Sequence, residues 1–212
     1  MSLLENTGLL ELSLWANYEF LPSPILGFHG CDESVGEAIL RGETTHLELS
    51  RNDYDWLGSG VYFWEGNPMR ALQFAKERAA GGRNSRGEIS KPFVLGAVLN
   101  MKRCLDLADS GAIAQLRLSH QELVELSDIH DVTLPTNGKR LRRRELDCAV
   151  TNLLHTTRVQ VGLPAYNTVR GLFWEGAPIY EGAGVSEFNH IQICVRDVSC
   201  ILGYFRPIDL TN

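Results

Sequence analysis

PILGFHG, residues 24–30, is an apolar run that ends in a polar pair, His29-Gly30. A short apolar run that begins at a proline is typical of a buried β-strand. The next residues, DES at 32–34, supply N-capping side chains, and Gly42 is placed to end the helix that follows. The stretch therefore predicts a strand that carries a histidine near its end and is followed at once by a helix.

A second segment, LGSGVYFW at residues 57–64, passes from glycines to aromatic residues. Glycine inside such a run indicates a place where another group approaches the backbone closely. Asn67-Pro68 then predicts a helix N-cap with proline in the first turn, and Ala71 and Phe74 fall on its apolar stripe. The segment lacks the Lys-Ser/Thr pair of a phosphate loop, so it predicts neither a P-loop nor a dinucleotide-binding fingerprint.

Four further strands are predicted, at residues 92–99, 104–107, 168–173 and 190–195. A capping box at residues 119–122 (SHQE) is expected to open one helix, and residues 140–155 are expected to form another. Strands at both ends of the chain with helices between them favour an α+β fold with a largely antiparallel sheet.

The composition is that of a folded globular domain: 212 residues, 44% hydrophobic and 22% charged. These values exclude disordered, collagen-like and simple coiled-coil proteins. With 20 basic and 26 acidic side chains the net charge is −6, which disfavours general attraction to nucleic acid. The one basic run, residues 139–145 (KRLRRRE), is either a solvated helix start or a patch for an acceptor such as nucleic acid.

The five cysteines are widely spaced and form no CxxC pair, so we expect reduced, buried thiols and no metal site. Residues 1–15 contain Glu5 and Glu11 and lack a basic segment ahead of an apolar stretch, so no signal peptide is predicted. No apolar run approaches about 18 residues, the length of a membrane-spanning helix. We therefore expect a cytoplasmic protein with no membrane partner.

The order and spacing of three segments resemble the catalytic domain of ADP-ribosyltransferases of the His-Tyr-Glu class, which includes poly(ADP-ribose) polymerases and diphtheria-type toxins. These segments are His29-Gly30 with its helix, the GSGVYF run at 58–63, and the last part of the chain from His190 to Phe205. The resemblance implies one domain, residues 1–212, with an α+β fold. Its split antiparallel β-sheet core would comprise residues 24–107 and 168–205, with flanking helices and a helical insertion at about 108–160.

The resemblance also implies that NAD is the substrate and that no metal is needed. It further implies roles for the residues that match the family's motifs. His29 would hydrogen-bond the adenosine-side ribose, and Tyr62 would stack on the nicotinamide ring. The Gly30 backbone would hold the nicotinamide amide, which requires a position without a side chain. The other positions implied for NAD binding are Gly60, Phe63, Ala71 and Phe74. From the residues alone, the alternatives are that His29 is a structural strand-end histidine and that Tyr62 is an ordinary core residue.

The chain departs from the family pattern at the third catalytic position. Aligning Asp197 with the family's strand-end aspartate places Gln192 where the catalytic glutamate is found. Aligning Glu187-Phe188 with the family's Glu-Tyr pair makes Glu187 the third residue instead. In the helix after the tyrosine strand, Ala71 stands for a serine, and Phe74 lies one residue from the position of the second aromatic.

A glutamine can accept a hydrogen bond from a ribose hydroxyl but cannot act as a base, so chain elongation into poly(ADP-ribose) is not expected. The resemblance favours a mono-ADP-ribosyltransferase acting on a protein or nucleic-acid acceptor, as a toxin or defence effector with an antitoxin protein as a partner. The alternatives are an NAD glycohydrolase and an inactive module that binds NAD, ADP-ribose or nucleic acid.

Overall fold

The computed structural model describes residues 24–81, 89–138 and 143–208. Within these residues the fold is α+β, with a seven-stranded sheet and four α-helices. The strands are β1 (Ile25–Asp32), β2 (Val61–Glu65), β3 (Pro92–Leu99), β4 (Cys104–Asp106), β5 (Thr168–Phe173), β6 (His190–Val195) and β7 (Ile201–Phe205). The helices are α1 (Glu33–Leu40), α2 (Pro68–Ala79), α3 (Ser110–His130) and α4 (Glu145–Gln160), with a 3-10 turn at Val198–Cys200.

The sheet has the strand order β4-β5-β6-β2-β1-β3-β7 and is mixed. Five of its neighbouring pairs are antiparallel, whereas β4 and β5 run parallel. A parallel pair needs a long crossover, and α3 and α4 together provide it. The prediction of an antiparallel sheet is therefore corrected at this edge, because the two middle helices form a crossover between neighbouring strands.

The sheet opens between β1 and β2. These strands pair at only two positions, Gly27 with Glu65 and Phe28 with Trp64, whereas β1 pairs with β3 along its whole length. Beyond Phe28 the two strands separate, and His29 is the first residue of β1 past the last pair.

Three helices cover one face of the sheet. Phe28 and Trp64, which are paired and so share a face, pack with Ala71 of α2. Gln192 and Cys194 lie on that same face, because Gln192 pairs with Trp64. Cys194 belongs to the apolar cluster that includes residues of α3 and α4. Helix α2 therefore lies over β1 while α3 and α4 lie over β4, β5 and β6, with β2 between them.

Several predicted elements are confirmed. Strands β3, β5 and β6 have the predicted bounds, and Asp32 and Asn67 cap α1 and α2 through their side-chain oxygens. The five cysteines are buried and free, as expected. No helix within the described ranges is long and apolar enough to cross a membrane.

The predicted starts of the two middle helices are wrong. Helix α3 begins at Ser110, where Asp109 Oδ1 accepts a 2.9 Å hydrogen bond from the Ala112 N–H. Ser119, the expected N-cap, is instead buried within α3 and donates to the Val150 carbonyl oxygen of α4. Helix α4 starts at Glu145, five residues later than predicted, and residues 139–142 of the basic run lie outside the described residues.

Candidate functional site

His29 lies at the opening between β1 and β2. Its Nδ1 is 2.7 Å from the backbone carbonyl oxygen of Tyr62, so Nδ1–H donates and Nε2 is left as the acceptor of the ring. Burial lowers the pKa of His29 and outweighs the opposite effect of the Tyr62 carbonyl. The imidazole is therefore neutral at pH 7, with its acceptor nitrogen turned away from β2.

Tyr62 anchors the glycine-rich loop that precedes β2. Its hydroxyl donates to the Gly58 carbonyl oxygen at 2.7 Å and accepts from the Leu57 N–H at 2.9 Å. The ring packs against the cluster that contains Leu57 and Cys194. Burial raises the pKa of Tyr62 well above its ordinary value, so the hydroxyl stays protonated.

The structure brings His29 to the backbone of Tyr62 but places the two side chains on different faces. Tyr62 pairs with Cys194 and shares the α2 face with it. His29 lies on the opposite face, where its ring centroid is 5.9 Å from that of Phe63. A ligand that contacts both side chains would have to pass through the opening between β1 and β2.

The two candidates for the third residue lie in different surroundings. Gln192 is half-buried at the centre of β6, between Trp64 of β2 and Gly171 of β5. Within the described ranges its amide forms no hydrogen bond. Glu187 is exposed in the segment before β6, where its Oε2 accepts a 3.1 Å hydrogen bond from the Ala177 N–H. Gln192 thus lies half-buried on the α2 face of the sheet, whereas Glu187 contacts the backbone of its own loop.

The remaining predicted NAD-binding residues have packing roles in the chain. A Cβ on Gly30 would lie 2.2 Å from the Ala71 carbonyl oxygen, and one on Gly60 would lie 2.6 Å from that of Val195. Phe63 and Ala71 are 0% exposed. Phe74 is half-buried, with its ring centroid 5.0 Å from that of Trp64. Their assignment to NAD binding stays a prediction.

A polar cluster that the sequence did not predict lies on the α2 face beside Gln192. It consists of Trp64, Arg70, Glu175, Phe188 and His190, and we call it the Arg70 cluster. Arg70 is 8% exposed, and its Nη2 donates to Glu175 Oε2 at 2.9 Å. Its guanidinium carbon lies 5.8 Å from the Trp64 ring centroid and 5.3 Å from that of Phe188. His190 Nδ1 donates to the Phe188 carbonyl oxygen at 2.6 Å.

The local sequence around Arg70 does not reveal this cluster. Arg70 directly precedes Ala71 in the first turn of α2, where it follows the Asn67-Pro68 cap. A buried arginine there needs a carboxylate or aromatic neighbours, but Glu175 is 105 residues away in sequence. No local pattern predicts that partner.

Comparison of the chain with models of protein families, with curated proteins and with solved structures found no match. Within the described ranges, no group of three or more His, Cys, Asp or Glu side chains is arranged to hold a metal ion.

Proposed function

We propose that this chain is a mono-ADP-ribosyltransferase with an ADP-ribosyltransferase-like fold, which transfers ADP-ribose from NAD to a macromolecular acceptor. The observation that supports the proposal most is the contact between His29 and the Tyr62 carbonyl oxygen, at the opening between β1 and β2. It joins two of the three segments on which the family resemblance depends. Gln192, the proposed third residue, lies on β6, the strand next to β2, on the α2 face of the sheet.

The proposed reaction breaks the bond between nicotinamide and C1′ of the ribose. The bonding electrons leave with nicotinamide, and a lone pair of the acceptor forms the new bond to C1′ while the acceptor loses its proton to solvent. The transition state carries positive charge on the ribose, so acceptor groups around the sugar stabilise it. The neutral His29 ring would offer Nε2 to a hydroxyl of the adenosine-side ribose, and the Gln192 amide oxygen would be the acceptor beside the reacting ribose. Because His29 and Gln192 lie on opposite faces of the sheet, NAD would have to reach both through the opening between β1 and β2.

Gln192 also supports a second candidate function, that of a module that binds NAD or ADP-ribose without turnover. An amide is uncharged and stabilises a developing cation less well than a carboxylate does. Position 192 of β6 is a glutamine and supplies no carboxylate. NAD hydrolysis, with water in place of the acceptor, is the third outcome that the experiment distinguishes.

The test is incubation of the purified chain with NAD labelled in its adenylate, together with protein and nucleic-acid fractions of a cell extract. Label on a macromolecule supports transfer, and free ADP-ribose supports hydrolysis. Tight NAD binding with neither product supports the binding module. No binding and no product would contradict all three functions.

Variants at the two candidate third residues decide between the alignments. Gln192→Ala is expected to lower NAD turnover by at least about 100-fold with the fold intact, because it removes an acceptor beside the reacting sugar. Gln192→Glu is expected to keep or raise turnover, and Glu187→Ala to change it little. Loss of turnover in Glu187→Ala, with Gln192→Ala still active, would show that Glu187 is the third residue.

A further inference from the structure

The Arg70 cluster contains four buried polar atoms that have no hydrogen-bond partner among the residues that the structure describes. They are Trp64 Nε1, Arg70 Nε, Arg70 Nη1 and His190 Nε2. Buried N–H groups in folded proteins are nearly always paired, and a charged group left without partners is especially unfavourable. Both the Arg70 and the His190 side chain are more than nine-tenths buried.

The four atoms define the chemistry of a ligand. Trp64 and Arg70 can only donate, so they require a group with several acceptor oxygens. His190 Nδ1–H is used by the Phe188 carbonyl oxygen, so Nε2 of the neutral ring is an acceptor and requires a donor. A phosphate that carries one proton has both features: acceptor oxygens and one P–OH. A carboxylate or a phosphodiester lacks that donor.

We propose that the Arg70 cluster is a binding site for a terminal phosphate group, either inorganic phosphate or a phosphomonoester. The pyrophosphate of NAD has no P–OH at neutral pH, so this site is separate from the proposed NAD chemistry. The positive charge of Arg70 attracts the ligand, and the unpartnered N–H groups of Arg70 and Trp64 bind its oxygens. The P–OH of the phosphate donates its hydrogen bond to His190 Nε2.

Aromatic rings make the surroundings of the site apolar. The His190 ring centroid lies 5.6 Å from that of Phe173 and 6.3 Å from that of Trp56. Arg144 packs over Trp56, with its guanidinium carbon 4.0 Å from the ring centroid. In such low-polarity surroundings, hydrogen bonds to a charged group are stronger than in water.

Glu175 occupies part of the site in the free protein. Its carboxylate is the one anion bound to Arg70 within the described ranges, and it lies 3.9 Å from His190 Nδ1. Glu175 and Phe188 both belong to the segment that joins β5 to β6, and this segment covers Arg70. A phosphate would bind against the repulsion of Glu175, so removal of that charge is expected to strengthen binding.

The test is calorimetric titration of the full chain with inorganic phosphate at pH 7, with adenosine monophosphate, sulfate and acetate in parallel. One phosphate is expected to bind per chain, and sulfate, which carries no proton, at least about tenfold more weakly. Comparison of adenosine monophosphate with inorganic phosphate shows whether the natural source is a phosphomonoester or free phosphate. Sulfate or acetate binding as tightly as phosphate would refute the role of His190 as an acceptor.

Variants connect the binding to the cluster. Arg70→Gln is expected to abolish phosphate binding, whereas Arg41→Gln, at an exposed ion pair after α1, leaves it unchanged. Glu175→Gln is expected to tighten binding by at least about fivefold. If Arg70→Gln does not fold, Trp64→Phe keeps an aromatic ring, removes one donor, and is expected to weaken binding several-fold.

Failure of phosphate to bind both the wild type and Glu175→Gln would overturn the proposal and leave the cluster as internal cation–π packing. Equal weakening by Arg41→Gln and Arg70→Gln would overturn it as well, because it would indicate non-specific attraction. The titration contains no NAD, so either result leaves the proposed transferase activity to its own test.

Discussion

Replacement of Tyr62 by phenylalanine separates the two roles that this residue can have. The ring, which would stack on nicotinamide, is kept, and only the hydroxyl is lost. That hydroxyl donates to the Gly58 carbonyl oxygen and accepts from the N–H of Leu57, a residue that is 0% exposed. Tyr62→Phe would leave the buried Leu57 N–H without its partner, whereas Gly58 keeps a weak contact with the Cys194 thiol.

The loss of one net hydrogen bond, added to the cost of an unpartnered buried N–H, gives a destabilisation of about 1–3 kcal/mol. Equilibrium unfolding in urea measures it, with Tyr180→Phe as the matched control. Tyr180 is 65% exposed, so its variant is expected to stay within about 0.5 kcal/mol of wild type. Equal stability of the two variants would refute the structural role of the Tyr62 hydroxyl.

Three further outcomes are expected. Gly30→Ala places a Cβ 2.2 Å from a backbone oxygen of α2 and should cost about 2–3 kcal/mol in urea unfolding, whereas Gly203→Ala, with nothing within 4 Å, should cost little. Burial lowers the pKa of His155 from 6.5 to about 3, so below pH 6.5 the unfolded chain binds the proton first. The contribution of His155 to the free energy of unfolding should then fall by about 1.4 kcal/mol for each pH unit below 6.5. In His155→Gln, the urea midpoint should depend less steeply on acid pH. The Lys91 N–H and other donors lower the pKa of Asp32 below its ordinary 3.8, so its contribution is complete above that pH and is lost on further acidification. Unfolding of Asp32→Asn should accordingly change less than that of wild type between pH 5 and 3.

Features set by neighbouring residues were predictable from the sequence. Asp32 and Asn67 cap helices because the donors that they bind follow within three residues. Strand β3 has its predicted bounds because an apolar run next to a proline is itself a local signal. These predictions needed no knowledge of the rest of the chain.

Features that depend on distant partners were not predictable. Asp109 and Ser119 are both suitable N-caps, and the choice depends on Val150, whose carbonyl oxygen binds the Ser119 hydroxyl. Likewise, the side chains of His29 and Tyr62 were expected to line one pocket, whereas the two segments meet only where His29 contacts the Tyr62 backbone and the side chains lie on opposite faces. The sequence could not show that they meet through a backbone oxygen, because the separation of β1 from β2 comes from sheet pairing alone.

The separation of β1 from β2 divides the sheet into two groups of strands that can unfold locally in solution. Strands β7, β3 and β1 form one hydrogen-bonded group, and β2, β6, β5 and β4 form another. Within the described ranges, two paired positions, the Gly66 N–H to Leu26 carbonyl hydrogen bond and the imidazole of His29 connect them along the shared edge. Amide hydrogen exchange should therefore resolve two cooperative units with different opening free energies. Replacement of His29 would lower the coupling between them.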